Sequence, residues 1–163
     1  MKKLWAPWRM KYILNVDKDD GCIFCEKSNQ TQDEENLILH RGNTCFVMMN
    51  LFPYNNGHLL VAPYRHTADL SILSDEEKQE LMDLVGCWVK TLSDRMGAQG
   101  TNVGMNLGRT AGAGIVEHLH LHIVPRWEGD TNFMPVVGNT KVISEALGDT
   151  YRKLKRPSSP SPP

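Results

Sequence analysis

Three histidines stand at alternate positions in residues 118–124, which read His-Leu-His-Leu-His-Ile-Val. Alternate side chains of a β-strand share a face, so His118, His120 and His122 are predicted to form a row on one face, opposite a core of the intervening aliphatic side chains. Consecutive histidines in such a row lie roughly 6.5–7 Å apart. The chain has six histidines in all, and a regular row of three is not typical of a merely solvated polar face.

Two kinds of chemistry fit this row. Imidazole is a common metal ligand, and two histidines separated by one residue on a strand can supply two nitrogens to one ion. Alternatively, one imidazole can act as a nucleophile while its neighbours fix its tautomer and orientation. Attack on an α-phosphate forms a phosphoramidate, which a second acceptor then cleaves.

A glycine-rich loop just upstream favours the second chemistry. Residues 108–114 read Gly-Arg-Thr-Ala-Gly-Ala-Gly, and glycines allow backbone N–H groups to approach and surround an anion. Asn106 adds a side-chain donor ahead of the loop. A phosphate site beside the histidine row predicts that His120 is a nucleophile that attacks phosphorus.

The surrounding patterns place the row in an antiparallel sheet. Residues 45–49 and 58–63 read as strands joined through the turn signal Asn55-Asn56-Gly57, which predicts a β-hairpin. Residues 101–106 and 118–124 read as two further strands. The residues before about position 41 look polar and irregular.

One long helix is predicted to cross this sheet. Ser74 and Glu77 form a capping box at its start, and apolar residues then recur at helical spacing as far as Met96. Trp88 belongs to this apolar stripe and is expected in the core. Gly97 is a natural helix end. The predicted fold class is therefore α+β.

The composition indicates one soluble globular domain. The chain has 163 residues, 40% of them hydrophobic and 23% charged, and a formal net charge of −1. This balance argues against broad nucleic-acid binding, which needs a basic excess, but is compatible with a small anionic ligand in a locally positive site. We find neither an apolar run long enough to cross a bilayer nor a signal peptide, so a cytoplasmic location is expected.

The four cysteines divide into two kinds. Cys22 and Cys25 form a Cys-x-x-Cys pair, which in a cytosolic protein indicates metal binding or redox chemistry, although two reduced thiols at a turn have the same pattern. Cys45 and Cys87 are interpreted as small core residues.

The pattern of residues 118–124 resembles that of the histidine triad (HIT) superfamily of nucleotide hydrolases and transferases. The similarity covers roughly residues 20–128, including residues 50–58 and the Leu-Leu-Val-Ala-Pro that follows, Asn106 with its loop, and Pro125-Arg126. It implies an antiparallel, half-barrel-like sheet with one long helix. Residues 4–9 and 127–135 resemble the bacterial diadenosine tetraphosphate phosphorylase branch.

The resemblance assigns a role to each histidine of the triad and to several groups around it. His120 would become nucleotidylated, and its other ring nitrogen would donate to a fixed acceptor such as a backbone carbonyl. His122 would shape the phosphate pocket and assist proton transfer. Asn50 would hold the ribose, and His58 and Asn106 would line the phosphates. Backbone groups would stabilise the transition state, and these belong to Gly112, Gly114 and Ile115.

The resemblance also implies a structural zinc ion. Its ligands would be Cys22, Cys25, His66 and His118, a closed set of two cysteines and two histidines that leaves no open coordination position. His118 therefore differs in role from the other two triad histidines. No organic cofactor is expected.

The predicted organisation is an N-terminal extension (1–19), a HIT domain (20–128), a C-terminal segment that packs near the active site (129–156) and a disordered tail (157–163). The resemblance implies a homodimer formed through the long helix and a shared sheet. The predicted reaction is phosphorolysis of diadenosine tetraphosphate to ADP and ATP. The alternatives are a hydrolase of dinucleoside polyphosphates or nucleoside phosphoramidates, which uses water, and a nucleotide-binding sensor with little turnover.

Overall fold

A computed structural model describes residues 21–130 and 142–155 of the chain. The helices are α1 (Ile23–Asn29), α2 (Asp75–Met96) and α3 (Leu147–Lys155), and the strands are β1 (Ile38–Arg41), β2 (Cys45–Met49), β3 (Leu59–Pro63), β4 (Gly100–Met105) and β5 (Leu121–Arg126). Among these residues, no helix combines the length and the apolar character that crossing a membrane requires. The predictions for residues 1–19 and 157–163 fall outside the described ranges.

All five strands form one antiparallel sheet in the order β1-β2-β3-β5-β4. The predicted hairpin is confirmed, with Met49 opposite Leu59 at the turn and Cys45 opposite Pro63 at the far end. The predicted α+β class with one long helix is also confirmed.

The two faces of the sheet are covered unequally. Helices α2 and α3 pack on one face, where Val47, Val61 and Ile123 join a core with Leu81, Trp88 and other helix residues. The short α1 covers the other face through Phe24, but only over β1, β2 and β3. Strands β2 and β3 are therefore buried on both sides, whereas no described helix covers the same face of β4 and β5.

Helix α2 follows its predicted bounds closely. The Ser74 hydroxyl accepts from the Glu77 N–H and the Glu77 carboxylate accepts from the Ser74 N–H, which completes the capping box. Gly97 ends the helix with φ +64°, a left-handed conformation that favours glycine. Trp88 is buried as predicted.

Three expectations were wrong. Residues 22–41 are not irregular throughout, because Phe24 and Ile38 bury themselves in the second core and stabilise α1 and β1. The last strand begins at Leu121 rather than at His118. Cys87 is exposed on α2, on the side away from the sheet, and only Cys45 is a core residue.

The C-terminal segment 129–156 is described only in part. Tyr151 and Leu154 of α3 pack in the core on the α2 side of the sheet, and Ser144 contacts Asn56 of the hairpin loop through a 3.0 Å hydrogen bond. That the segment packs near the active site stays a prediction.

A single carboxylate joins α2 to the turn between β1 and β2. Glu80 accepts hydrogen bonds from the N–H groups of Asn43, Thr44 and Cys45 and from the Thr44 hydroxyl, at 2.5–2.9 Å. Burial alone raises the pKa of this carboxyl, but the hydrogen bonds outweigh it and lower the pKa to about 2. The charged form of Glu80 therefore stabilises the packing of the helix on the sheet.

Replacing Glu80 with glutamine is predicted to destabilise the protein by about 1–3 kcal/mol, because the amide presents one acceptor oxygen to several donors. Denaturant unfolding at pH 7 measures the change. Glu76→Gln, at an exposed position one turn earlier, is the matched control and should change stability little. Equal effects of the two substitutions would contradict the role of Glu80.

Candidate active site and metal centre

The three triad histidines project from the end of the 106–120 loop and from β5 onto the open side of the sheet. His118 is 1% exposed and His120 is 7% exposed, and each ring lies about 5 Å from the Phe24 ring of α1. The rings of His120 and His122 are 4.9 Å apart. The row predicted from the alternation is therefore present, although its first two members lie before the regular strand.

His120 has one ring nitrogen fixed by the backbone. Its Nδ1 lies 2.8 Å from the carbonyl oxygen of His118. A carbonyl can only accept, so Nδ1 carries the proton and donates. In a neutral ring this leaves the lone pair on Nε2, and no described residue forms a hydrogen bond with that atom. The sequence-based expectation of a carbonyl acceptor agrees with this geometry.

A chain of hydrogen bonds fixes the tautomers of His58 and His122. The Tyr54 N–H donates to Nδ1 of His58 over 3.0 Å, so the proton of His58 is on Nε2. That Nε2–H donates to Nδ1 of His122 over 2.9 Å. His122 must therefore carry its own proton on Nε2, a buried atom without a partner among the described residues. The outcome is a buried N–H donor that no described residue pairs.

Burial keeps all four of these histidines neutral. The pKa of His58 falls to about 3 and that of His122 to about 4, mainly because burial disfavours the charged ring and secondarily because of neighbouring histidines. Burial also lowers the pKa of His118 and of His120, although their carbonyl partners oppose the shift. Neutral imidazole is the nucleophilic form.

A second cluster adjoins the triad through His118. One ligand atom from each of four residues lies within 4.8 Å of all the others, and the four are Cys22, Cys25, His66 and His118. Nδ1 of His118 is 3.2 Å from Sγ of Cys22 and 3.6 Å from Sγ of Cys25, and Nδ1 of His66 is 3.4 Å from Sγ of Cys25. Tetrahedral zinc separates a sulfur and a nitrogen ligand by about 3.6 Å, so this donor set fits zinc.

The surroundings of the cluster also suit a cation. Nε2–H of His118 donates to the Pro63 carbonyl over 2.9 Å, which directs the Nδ1 lone pair toward the cysteines. Burial and the adjacent Cys22 raise the pKa of the Cys25 thiol. A bound metal ion reverses that effect by stabilising the thiolate.

The glycine-rich loop upstream of His120 has backbone donors without described partners. Residues 109–111 form a short 3₁₀ turn, and Gly112 ends it at φ +91°, where a side chain would be strained. The N–H groups of Gly112 and Ala113 are bonded within the loop. Those of Gly114 and Ile115 form no hydrogen bond within the described parts of the chain and are available to an anion.

The remaining predicted site residues differ in how deeply they are buried. Asn106 lies half-buried next to Gly112, with Nδ2 4.0 Å from the position of a Cβ there. Asn50 accepts from the Phe52 N–H over 2.9 Å and its Nδ2 is 3.3 Å from Nδ1 of His58. His58 is 1% exposed and lies behind His122. Its hydrogen bond to Nδ1 of His122 is therefore its link to the histidine face of the sheet.

Sequence reasoning missed Phe24 and Tyr54. Phe24 packs against the triad rings, and its position two residues after Cys22 carried no periodic signal. Tyr54 covers both His58 and His122, with ring centroids at 4.6 and 5.7 Å. It stands in a loop whose sequence indicates a turn but not the direction of a side chain.

The chain is similar to known proteins along most of its length. The family model for the HIT domain matches residues 30–129. The AP-4-A phosphorylase of Mycobacterium tuberculosis is 40% identical over 94% of this chain and 83% of its own. The adenosine 5′-monophosphoramidase hnt1 of Schizosaccharomyces pombe is 32% identical over 65% of this chain and 74% of its own. A Zn-bound histidine triad family protein from Mycobacterium smegmatis has the same fold, with a TM-score of 0.67 and 23% identity over 83% of this chain and 91% of its own.

Acid is predicted to destabilise the protein as the pH falls from about 6.5 toward 5. In the unfolded chain histidine binds a proton near pH 6.5, whereas folded His122 does so only near pH 4. Between these values the unfolded state binds more protons, so its relative stability increases on acidification. Denaturant unfolding at pH 7 and pH 5 measures the change, and ¹⁵N NMR of the imidazoles assigns it. Protonation of His122 near pH 6.5 would contradict the prediction.

Proposed function

The chain belongs to the histidine triad family, and from that premise we propose that it is an enzyme that transfers a nucleotidyl group from a dinucleoside polyphosphate to inorganic phosphate through His120. The observation that carries the proposal is the hydrogen bond from Nδ1 of His120 to the His118 carbonyl. It leaves the opposite nitrogen of a neutral, buried ring free to attack phosphorus. The 40% identity to an AP-4-A phosphorylase supports this class of substrate.

In the first step the Nε2 lone pair of His120 attacks the α-phosphorus of diadenosine tetraphosphate. A P–N bond forms, the bridging P–O bond breaks, and its electron pair leaves with ATP. Positive charge develops on the His120 ring, and the His118 carbonyl stabilises it through Nδ1–H. His122 donates a hydrogen bond from Nε2 to the leaving oxygen, and ATP departs as an anion without needing that proton.

In the second step an oxygen of inorganic phosphate attacks the adenylylated His120. The P–N bond breaks, its electrons return to Nε2, and ADP is released. Water in place of phosphate would give AMP, which is the hydrolase alternative. Both routes use the same intermediate on His120. A phosphorylase and a hydrolase would therefore differ only in the acceptor, which is phosphate or water.

The other predicted residues have supporting roles in this proposal. The free N–H groups of Gly114 and Ile115, with Asn106, bind phosphate oxygens as negative charge builds up. Asn50 holds the ribose at the end of β2. His58 is a positioning residue that acts through His122, since both of its ring nitrogens already have protein partners.

Incubation with diadenosine tetraphosphate, with and without inorganic phosphate, tests the function. We expect ADP and ATP only when phosphate is present, and a rate about 10²–10⁴-fold lower or more for His120→Ala. His40→Ala, on an exposed histidine of β1, is the control and should retain activity. AMP and ATP independent of phosphate would identify a hydrolase. Tight binding without turnover would identify the sensor and contradict the proposal.

We also propose that Cys22, Cys25, His66 and His118 hold a structural zinc ion. The four-residue donor set and its spacing support this assignment, as does the zinc in the structurally similar protein from M. smegmatis. The ion would fix the His118 ring, and with it the carbonyl that orients His120. Four protein ligands would leave the zinc no open coordination position for substrate. Its contribution would therefore be to hold these residues rigidly in place.

Protein purified without chelators is predicted to contain about one zinc per chain. Cys22→Ser should lose most of the metal and lower the thermal midpoint by about 4 °C or more, because the ligands then lack their common ion. Cys87→Ser, at an exposed cysteine of α2, is the matched control. Metal analysis by mass spectrometry and a melting curve give both quantities. A wild-type protein free of zinc would overturn the assignment.

A homodimer completes the proposal. Strand β4 is at the edge of the sheet, so one side of its backbone is open to pairing with a second copy. Val103 of β4 and Met82 of α2 are large apolar side chains left exposed in the single chain. Pairing of β4 with its counterpart would continue the sheet and cover such residues.

A further inference from the structure

An open cleft lies on the histidine side of the sheet, next to Tyr54, whose ring stacks on His122. It has a volume of about 360 Å³ and is lined by Tyr54, Asn55, Asn102, Val124 and Arg126. Apart from the Tyr54 N–H, which orients His58, none of these residues has a role in the transfer described above. We refer to it as the β4 cleft.

The register of β4 and β5 explains why the cleft is open. Gly104 is directly opposite His122, and Asn102 is directly opposite Val124. Residues opposite each other in an antiparallel pair share a face, so a glycine forms the floor beside His122. Within residues 21–130 and 142–155, no atom beyond the adjacent residues lies within 4 Å of the position that a Cβ would take at Gly104. The floor therefore runs without obstruction from His122 to Asn102.

The end wall of the cleft is a fixed polar group. Arg126 donates to both carboxylate oxygens of Asp130 at 2.6 and 2.9 Å, and its Nη1 donates to Oδ1 of Asn102 over 2.9 Å. Because Oδ1 of Asn102 accepts this hydrogen bond, the side-chain amide is held with its oxygen toward Arg126. Its Nδ2 donors have no partner among the described residues and can donate to a ligand oxygen.

The side wall is the aromatic ring of Tyr54. One face of this ring covers His58 and His122, with an interplanar angle of 22° to His122. The side chain is nevertheless 55% exposed. A planar group can therefore stack on its outer face, as nucleobases do on exposed aromatic rings.

We propose that the β4 cleft binds the leaving half of the substrate, a nucleoside joined through its phosphate chain. The proposal rests on the proposed function. In the proposed transfer the N–H of His122 donates to the leaving oxygen, so the leaving group starts on the His122 side of His120. Val124 of the cleft is the next residue of β5 on that face. Its phosphates cross the bare floor at Gly104 toward Asn102 and Arg126, and its base stacks on Tyr54.

Equilibrium binding separates the two halves of the substrate. In a His120→Asn background, which prevents transfer, titration calorimetry gives the Kd of AMP and of diadenosine tetraphosphate. AMP can occupy the site of the transferred half alone. Gly104→Val places a side chain on the floor of the cleft, and Tyr54→Ala removes the stacking face. Thr101→Val, which changes a side chain on the opposite face of β4, is the matched control.

Gly104→Val and Tyr54→Ala should each weaken diadenosine tetraphosphate binding by about tenfold or more. AMP binding should stay within about twofold of the parent value. Unchanged AMP binding also shows that the site is folded. Equal weakening of both ligands would show that the cleft holds the transferred half or only supports His122, and no effect on either would show that the cleft is unused. Each result overturns the subsite while the proposed function stands. If the His120→Asn parent binds neither ligand, the proposed function and the subsite both fail.

Discussion

The hydrogen bond between Nδ1 of His120 and the carbonyl of His118 is the constraint on which the rest of the site depends. It decides which nitrogen of His120 has a lone pair, and it links this ring to the backbone of the first triad histidine. His118 is itself held by the Pro63 carbonyl on one side and by two cysteines on the other. The candidate metal cluster and the proposed nucleophile therefore share one segment of backbone, so a metal bound by the cluster would help to orient His120.

The helices cover the histidine side of the sheet only in part, and this leaves space beside the histidine row. Helix α1 closes the histidine side over β1, β2 and β3 and presses Phe24 against the triad, while β4 and β5 stay open. The substrate can therefore approach along β5 and the loop that precedes it. Burial lowers the pKa of His120 and of His122, so in the proposed reaction a polyphosphate is stabilised by N–H donors of the loop, of Asn106 and of His122 rather than by a strong positive charge. This arrangement suits a chain with a net charge of −1.

The sequence predicted those parts of the fold and site that depend on local patterns. The capping box at Ser74, the hairpin after β2 and the alternation of histidines and aliphatic residues each act within a few residues. The parts that were missed depend on tertiary contacts. Strand β1 and helix α1 are stabilised by burial of Ile38 and Phe24 in a core formed by distant strands. The hydrogen bond from His58 to His122 joins positions 64 residues apart, and no spacing rule indicates it.

The covalent step is tested most directly by rapid quenching of the wild-type protein with diadenosine tetraphosphate in the absence of phosphate, followed by peptide mapping. The structure predicts one adenylyl group per site, on Nε2 of His120, appearing as fast as the first equivalent of ATP and discharged to ADP when phosphate is added. A first equivalent of ATP released without any adduct, or an adduct on His122, would contradict nucleophilic attack by His120.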